Sequence, residues 1–97
     1  MPPAPDLTPD TDYTGPLLRD VRESQGVSLK DVSARTKVGL AYLEAIEADD
    51  FAALPAPVYV RGFVGEIAKS LKLDAAQVAR TYVRRYRRYL EERGRDA

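Results

Sequence analysis

Cysteine and histidine are both absent from this chain of 97 residues. Without cysteine, the chain can form neither a disulfide nor a thiolate metal site. Without histidine, it lacks the most common general base and the most common metal ligand. No Walker loop, dinucleotide-binding glycine motif or nucleophile elbow occurs either. We therefore expect a protein that is not an enzyme and that binds neither a cofactor nor a metal ion.

Long apolar runs are also missing, and none approaches the ~20 residues that a membrane-spanning helix needs. No signal peptide is visible, because proline and aspartate occupy the N-terminus where basic and apolar regions would stand. The chain is long enough for one helical core and too short for two. We expect a cytoplasmic protein, and the inner face of the membrane stays open as a more specific location.

A segment rich in proline and aspartate, residues 1–13, opens the chain. This composition predicts a disordered tail. A helical domain is predicted to span residues 14–93, because Thr14 can cap a helix and Pro16 suits the first helical turn. The last residues, 94–97, are expected to form a second short tail.

The stretch 28–48 has the spacing of a helix-turn-helix. Ser28 can cap a first helix, and Asp31 three residues later makes an imperfect capping box. A break of turn length at 37–39 contains glycine, as is usual between the two helices of this motif. The second helix is predicted to cover residues 40–48.

The outward face of that second helix would enter the major groove of DNA. Its members are Leu40, Ala41, Glu44, Ala45 and Ala48. Base edges are read mainly by Arg, Lys, Asn and Gln, and none of these lies on this face. Three more acidic residues follow between positions 47 and 50, and their negative charge should repel the phosphates of DNA. The pattern favours a protein partner with weak nucleic-acid binding at most; a DNA-binding regulator or nucleoid adaptor that uses phosphate contacts is the alternative.

A further amphipathic helix is predicted after a proline-containing loop, over residues 58–71. Its core face should carry Val60, Val64, Ile67, Ala68 and Leu71. Tyr59 and Phe63 lie four residues apart, about 80–120° from the centre of that face, and Glu66 shares their side. Aromatic side chains are enriched among binding anchors. Two interpretations stay open here, an exposed ridge that binds a partner or rings packed against a neighbouring helix or the N-terminal segment.

The net charge is zero, but positive charge concentrates in the last helix, which Asp74 is expected to cap. One stripe of that helix is expected to be core and carries Val78, Tyr82, Tyr86 and Tyr89. The rest of its surface carries Arg80, Arg84, Arg85, Arg87 and Arg88. This basic surface has three interpretations: a solvated helix face, attraction to an anionic membrane, or contact with a nucleic-acid backbone.

The run from Thr36 to Asp74 resembles the cytoplasmic domain of the RodZ family of bacterial cytoskeletal proteins. The matching elements are YLEAIE, D-F-x-x-L-P, P-V-Y-V-R-G-F and L-x-L-D. The resemblance extends over residues 17–89 and implies a domain that binds the bacterial actin MreB. It also implies that Tyr59 and Phe63 make that contact, since the family uses aromatic residues in the helix after the proline loop.

The chain departs from the family pattern in two respects. Family members usually continue into a transmembrane helix and a periplasmic domain, which this sequence does not contain. The family also often carries basic residues at the recognition-helix positions, where this chain has Gly39, Leu40 and Ala41. We expect an all-α domain of five helices with a helix-turn-helix core and an Arg-rich C-terminal helix. Its expected function is to dock a cytoskeletal or scaffold protein, with the outer face of residues 40–48 extending the contact.

Overall fold

The computed structural model describes residues 2–96, with side-chain surroundings described through residue 94. Within this part, the α-helices are α1 (Gly15–Ser24), α2 (Leu29–Thr36), α3 (Leu40–Glu47), α4 (Pro57–Ser70) and α5 (Ala75–Asp96). A short 3₁₀ helix, Phe51–Ala53, lies between α3 and α4. The described residues form no strand, and the predicted all-α class with five helices is confirmed.

The first two helices begin at the residues predicted from the sequence, and a side chain caps each of them. The Thr14 hydroxyl accepts a hydrogen bond from the Leu17 N–H at 3.2 Å. The Ser28 hydroxyl accepts from the Asp31 N–H, and the Asp31 carboxylate accepts from the Ser28 N–H, which completes the capping box. Hydrogen bonding to the Ser28 backbone, and then to its side chain, lowers the pKa of the Asp31 carboxyl. The contribution of this cap is therefore present above the ordinary carboxyl pKa and is lost as the pH falls through the lowered one.

The helix-turn-helix is formed by α2 and α3. Lys37 ends α2 in the left-handed conformation with a φ of 64°, whereas Gly39 has a φ of −60° and begins α3. The turn lies where it is predicted, although its glycine is not the residue with positive φ. Val32 from α2 and Leu43 and Ile46 from α3 are buried together in the core. The motif is thus held by its own apolar faces, with α1 packed on α3 and α4 packed on α2.

The most extensive helix pairing joins α4 and α5. The predicted core face of α4 is buried throughout: Val60, Val64, Ile67, Ala68 and Leu71. On α5 the predicted tyrosine stripe is buried at Tyr82 and Tyr86 and half-buried at Tyr89. Burial raises the pKa of the Tyr82 hydroxyl, which donates to the Ile46 carbonyl oxygen at 2.9 Å. The Tyr86 hydroxyl donates to backbone carbonyls of the proline loop, so both tyrosines satisfy polar groups inside the core.

The N-terminal segment corrects one expectation. Gln77 on α5 donates its side-chain N–H groups to the carbonyl oxygens of Thr8 and Thr11, at 2.9 and 3.0 Å. The Tyr13 N–H donates to the Thr81 hydroxyl at 2.9 Å, and the Tyr13 side chain is buried. The predicted disorder therefore does not hold for the second half of this segment. Its composition is poor in apolar residues, but hydrogen bonds from α5 and one buried ring hold it in place.

The predicted C-terminal tail also differs from the structure. The α5 helix continues to Asp96, beyond the predicted domain end at residue 93. Ala97 lies outside the described residues. The helix is thus 22 residues long.

Candidate protein-docking site

The first turn of α4 exposes large apolar side chains. Pro57 occupies the first helical position, where its missing N–H is tolerated. Val60 is fully buried, whereas Val58 and Tyr59 on either side of the core face are 69% and 61% exposed. The exposure of Tyr59 decides between the two interpretations of this residue in favour of an exposed ring. Large apolar side chains that remain in solvent are candidates for partner contact.

Phe63 is only half-buried, and its ring lies against a neighbouring helix. It stacks on Tyr42 of α3, with ring centroids 5.3 Å apart and an interplanar angle of 29°. Tyr42 itself is 39% exposed. Tyr59 is therefore the exposed ring of the pair, whereas Phe63 is packed on one side against an aromatic partner on α3, which is the second of the two interpretations. We call Tyr42, Tyr59 and Phe63 together the aromatic patch.

Truncating Phe63 should therefore affect stability. Phe63→Ala removes the stacked ring and its contacts with the core edge, and we expect a loss of about 1–2 kcal/mol in unfolding free energy. Ile67→Ala, which removes a buried core side chain, should lose more, on the order of 3 kcal/mol. Urea unfolding of both variants measures the difference. A Phe63→Ala loss as large as that of Ile67→Ala would mean that Phe63 belongs wholly to the core.

The remaining predicted contact residues differ in their exposure. Ala41 and Glu44 on α3 are exposed, and Leu40 is half-buried. Glu66 on α4 is exposed and pairs with Lys69 at 3.4 Å. Ala45 was expected on the outward face but is buried, because α3 packs on α1 and on α2 and these two neighbours widen its buried arc. Apart from Tyr42, the exposed surface of α3 consequently offers small and acidic groups.

This surface lacks the side chains that read DNA. The outward positions of α3 carry Ala41, Glu44 and Ala48, none of which can donate a hydrogen bond to a base edge. The Gly39 cap at the helix start supplies no side-chain hydrogen bond. Base reading by this helix is therefore not supported by its surface.

Arg85 does not belong to the basic surface predicted for α5. Its side chain is only 28% exposed and binds the Asp49 carboxylate through two hydrogen bonds, of 3.1 and 2.9 Å. The guanidinium also lies 5.4 Å from the centre of the Phe51 ring. Position 85 is three residues after Tyr82, so it shares the side of α5 that faces the 3₁₀ helix and the end of α3. Arg85 is a structural residue that joins α5 to α3.

The other four predicted arginines of α5 are exposed: Arg80, Arg84, Arg87 and Arg88. Arg84 pairs with Asp12 of the N-terminal segment at 2.6 Å, and both side chains remain largely in solvent. Arg61 on α4, which sequence reasoning did not select, is exposed and, together with these four arginines, lines a groove between α4 and α5. Tyr42 was likewise missed as a site residue, although its position beside the core residue Leu43 was the available signal. Both omissions concern contacts between helices that no spacing within one helix reveals.

Two further properties of the described residues bear on function. No helix among them is both long and apolar enough to cross a membrane. Within the same residues, acidic side chains form no cluster that could hold a metal ion.

The fold defines a class of protein. A capped first helix, a short turn and a second helix, braced by α1 and α4, constitute a helix-turn-helix domain. A family model described as "Helix-turn-helix domain" matches residues 17–78. The chain belongs to this helix-turn-helix family and, within it, to the RodZ group, as the resemblance predicted.

Two curated relatives support this placement. Over 68 residues, or 70% of this chain, it is 43% identical to "Cytoskeleton protein RodZ" of Streptococcus pneumoniae (strain ATCC BAA-255 / R6). Over 52 residues, or 54% of this chain, it is 38% identical to "Uncharacterized membrane protein YmfM" of Bacillus subtilis (strain 168). The matches span only 25% and 18% of the lengths of these relatives. No solved structure matches the chain.

Proposed function

We propose that this domain is a non-enzymatic cytoplasmic adaptor that docks an actin-like cytoskeletal filament protein through the aromatic patch. The exposure of Tyr59 carries the proposal, because its ring is 61% exposed on a helix whose core face is buried, so most of the ring's surface is free to contact a partner. Kinship with a protein named for the cytoskeleton supports the choice of partner.

The patch is suited to binding because part of it is already rigid. Phe63 and Tyr42 are stacked, so neither ring has to give up much freedom when a partner covers it. Tyr59 adds an apolar ring with a hydroxyl that can find a hydrogen bond at an interface. Glu66, which shares the side of α4 that carries Tyr59, places a carboxylate at the edge of the patch, and this favours a partner with basic residues around an apolar pocket.

Replacing Tyr59 with alanine tests the proposal. The variant should lose about 2 kcal/mol of binding free energy, as expected for a central aromatic anchor. Its unfolding free energy should change by no more than about 0.5 kcal/mol, because the side chain is mostly exposed. Cosedimentation with purified actin-like filaments from the same organism measures the binding free energy. A melting curve measures the change in stability.

Leu90→Ala is the matched control, since Leu90 is an exposed apolar residue on α5 and outside the aromatic patch. It should bind filaments like the parent protein. Tyr59→Phe, which keeps the ring, should retain most of the binding. Filament binding that survives Tyr59→Ala unchanged would exclude the aromatic patch as the docking surface.

A further inference from the structure

A groove lined by arginine runs between α4 and α5. Its rim carries Arg61 from α4 and Arg80, Arg84, Arg87 and Arg88 from α5. Arg84 pairs with Asp12, whereas the other four arginines form no ion pair within the described residues. The groove therefore holds a concentration of positive charge in a chain whose net charge is zero.

We propose that this groove docks a short acidic helix of a partner protein. Arg80, Arg84 and Arg88 lie one turn apart along α5, with a rise of about 6 Å between successive members. Carboxylates placed four residues apart on a facing helix have the same spacing. Arginine forms geometrically defined pairs with carboxylates, so this ladder matches an acidic helix in charge and in repeat.

The floor of the groove is built from small side chains. Ala76, Ala79 and Val83 lie beneath the arginines. The floor continues toward Gly62 and Gly65 of α4, which border the adjoining surface with Ala76 and Ala79. A helix can approach such a floor closely, and the arginine side chains can then reach across it to the carboxylates.

The two glycines of α4 support an external occupant. A Cβ placed on Gly62 or Gly65 would meet no atom of this chain within 4 Å. Glycine weakens a helix interior, and here no contact within the described residues requires it. An approaching partner backbone supplies a reason for glycine at both positions.

The limits of the basic surface favour a short acidic segment over a broad polyanion. Glu91 borders the groove on α5, and Glu66 borders the adjoining surface on α4. The stretch from Arg80 to Arg88 extends over about 12 Å of helix. The floor carries no aromatic ring on which a nucleic-acid base could stack. A flat bilayer would reach the arginine rim and leave the small-residue floor uncovered.

This proposal is independent of the aromatic patch. Gly65 lies about 120° around α4 from Tyr59, whereas Gly62 comes three residues after Tyr59 and lies between the two surfaces. None of Tyr42, Tyr59 and Phe63 lines the groove or its adjoining surface. Loss of filament binding in Tyr59→Ala would leave occupation of the groove unchanged.

A synthetic peptide provides the test. The probe is a fluorescent Ala- and Leu-based helix of about 16 residues, long enough to retain helical structure, with Glu four residues apart on one face. A second peptide carries Gln in place of each Glu. Fluorescence anisotropy should show binding of the Glu peptide to the full chain, with at least tenfold weaker binding of the Gln peptide.

Two variants locate the binding. Arg80→Gln combined with Arg88→Gln should lower the affinity for the Glu peptide about tenfold, since two charge contacts are lost. Gly62→Leu should weaken it by a similar factor through steric filling of the groove, while the melting temperature holds or rises. Lys30→Gln combined with Arg35→Gln is the control, because it removes the same charge from exposed positions of α2 and should change binding less than twofold.

Three results would overturn the proposal. One is equal affinity for the Glu and Gln peptides. Another is unchanged binding of the Glu peptide to Gly62→Leu, which would show attraction without a groove. The third is the absence of peptide binding together with arginine-dependent binding to phosphatidylglycerol vesicles or to an oligothymidylate strand. That last result would assign the surface to a membrane or to nucleic acid.

Discussion

Gly15→Ala is expected to lower the free energy of unfolding by about 3 kcal/mol, the upper part of the range for overpacked sites. A Cβ at this position would lie 2.1 Å from the Ile46 carbonyl oxygen and 2.7 Å from that of Glu47. Both are backbone atoms at the end of α3 and cannot rotate away as a flexible side chain would. The start of α1 would have to move away from α3 to admit a single methyl group.

That movement would also disturb polar contacts. The Gly15 N–H donates to the Asp49 carboxylate at 2.8 Å, and the same carboxylate binds Arg85. Asp49 therefore connects the start of α1 and the middle of α5 to the end of α3. A shift of α1 weakens this connection in addition to the packing around Gly15.

Gly62→Ala is the matched control for this prediction, because it makes the same chemical change in open space. It should raise the unfolding free energy by about 0.5–1 kcal/mol, since alanine is the better helix former. Urea unfolding of the two variants measures the expected loss of unfolding free energy in Gly15→Ala and the expected gain in Gly62→Ala. If Gly15→Ala proved as stable as the parent protein, the contact of α1 with the end of α3 would be looser than the structure shows.

The contrast between Gly15 and Gly62 illustrates what could not be predicted from sequence alone. The spacing of Val60, Val64 and Ile67 predicts that residues 62 and 65 lie in a helix, and this spacing is a local property. The tight approach at Gly15 depends on the carbonyls of residues 46 and 47, more than thirty positions away. No local pattern distinguishes a glycine in contact with another backbone from a glycine facing solvent.

Local signals predicted most of the fold for the same reason. Capping by Thr14 and Ser28 acts within three residues, and the core face of α4 repeats along one helix. The N-terminal segment was misjudged because Gln77 and Thr81, which hold it, lie more than sixty residues further along. Charge and amphipathicity are properties of one segment, and they do not reveal which distant residues will bind that segment in the fold.

In the candidate site, too, features within one helix could be predicted, whereas contacts between helices could not. Tyr59 could be placed on an exposed side because its angle from the core face of α4 is fixed by the helix. The stacking of Phe63 on Tyr42 and the pairing of Arg85 with Asp49 depend on how separate helices pack. Position 85 did carry a signal, since it lies three residues after Tyr82 and four before Tyr89. Reading it by that spacing would have placed it beside the core stripe.

Arg22 and Glu47 form the most buried ion pair among the described residues, with side chains only 13% and 11% exposed. Two hydrogen bonds of 2.7 and 2.9 Å join the guanidinium of α1 to the carboxylate of α3. The guanidinium also donates to the Val27 carbonyl oxygen at 2.9 Å, before α2 begins. One side chain thus ties α1 to α3 and to the connection between α1 and α2.

The pKa of Arg22 is raised, chiefly by its hydrogen bond to Glu47. A raised pKa in the folded state stabilises the fold fully at any pH below the ordinary pKa of arginine. That contribution is lost only as the pH rises through the raised value. The pair should therefore stabilise the domain across the neutral range without a pH-dependent step from Arg22.

Arg22→Met is expected to destabilise the domain by about 3–5 kcal/mol, because it leaves the Glu47 carboxylate buried without its partner. Arg19→Met is the matched control one turn earlier, where the pair with Glu23 is 62% and 42% exposed and should contribute at most about 0.5 kcal/mol. Combining Arg22→Met with Glu47→Leu should recover much of the loss, since the second change removes the unpaired charge. Urea unfolding of the four proteins measures these differences. If Arg22→Met lost no more stability than Arg19→Met, water would have to reach Glu47, and α1 would be held to α3 by apolar contacts and the Gly15 approach alone.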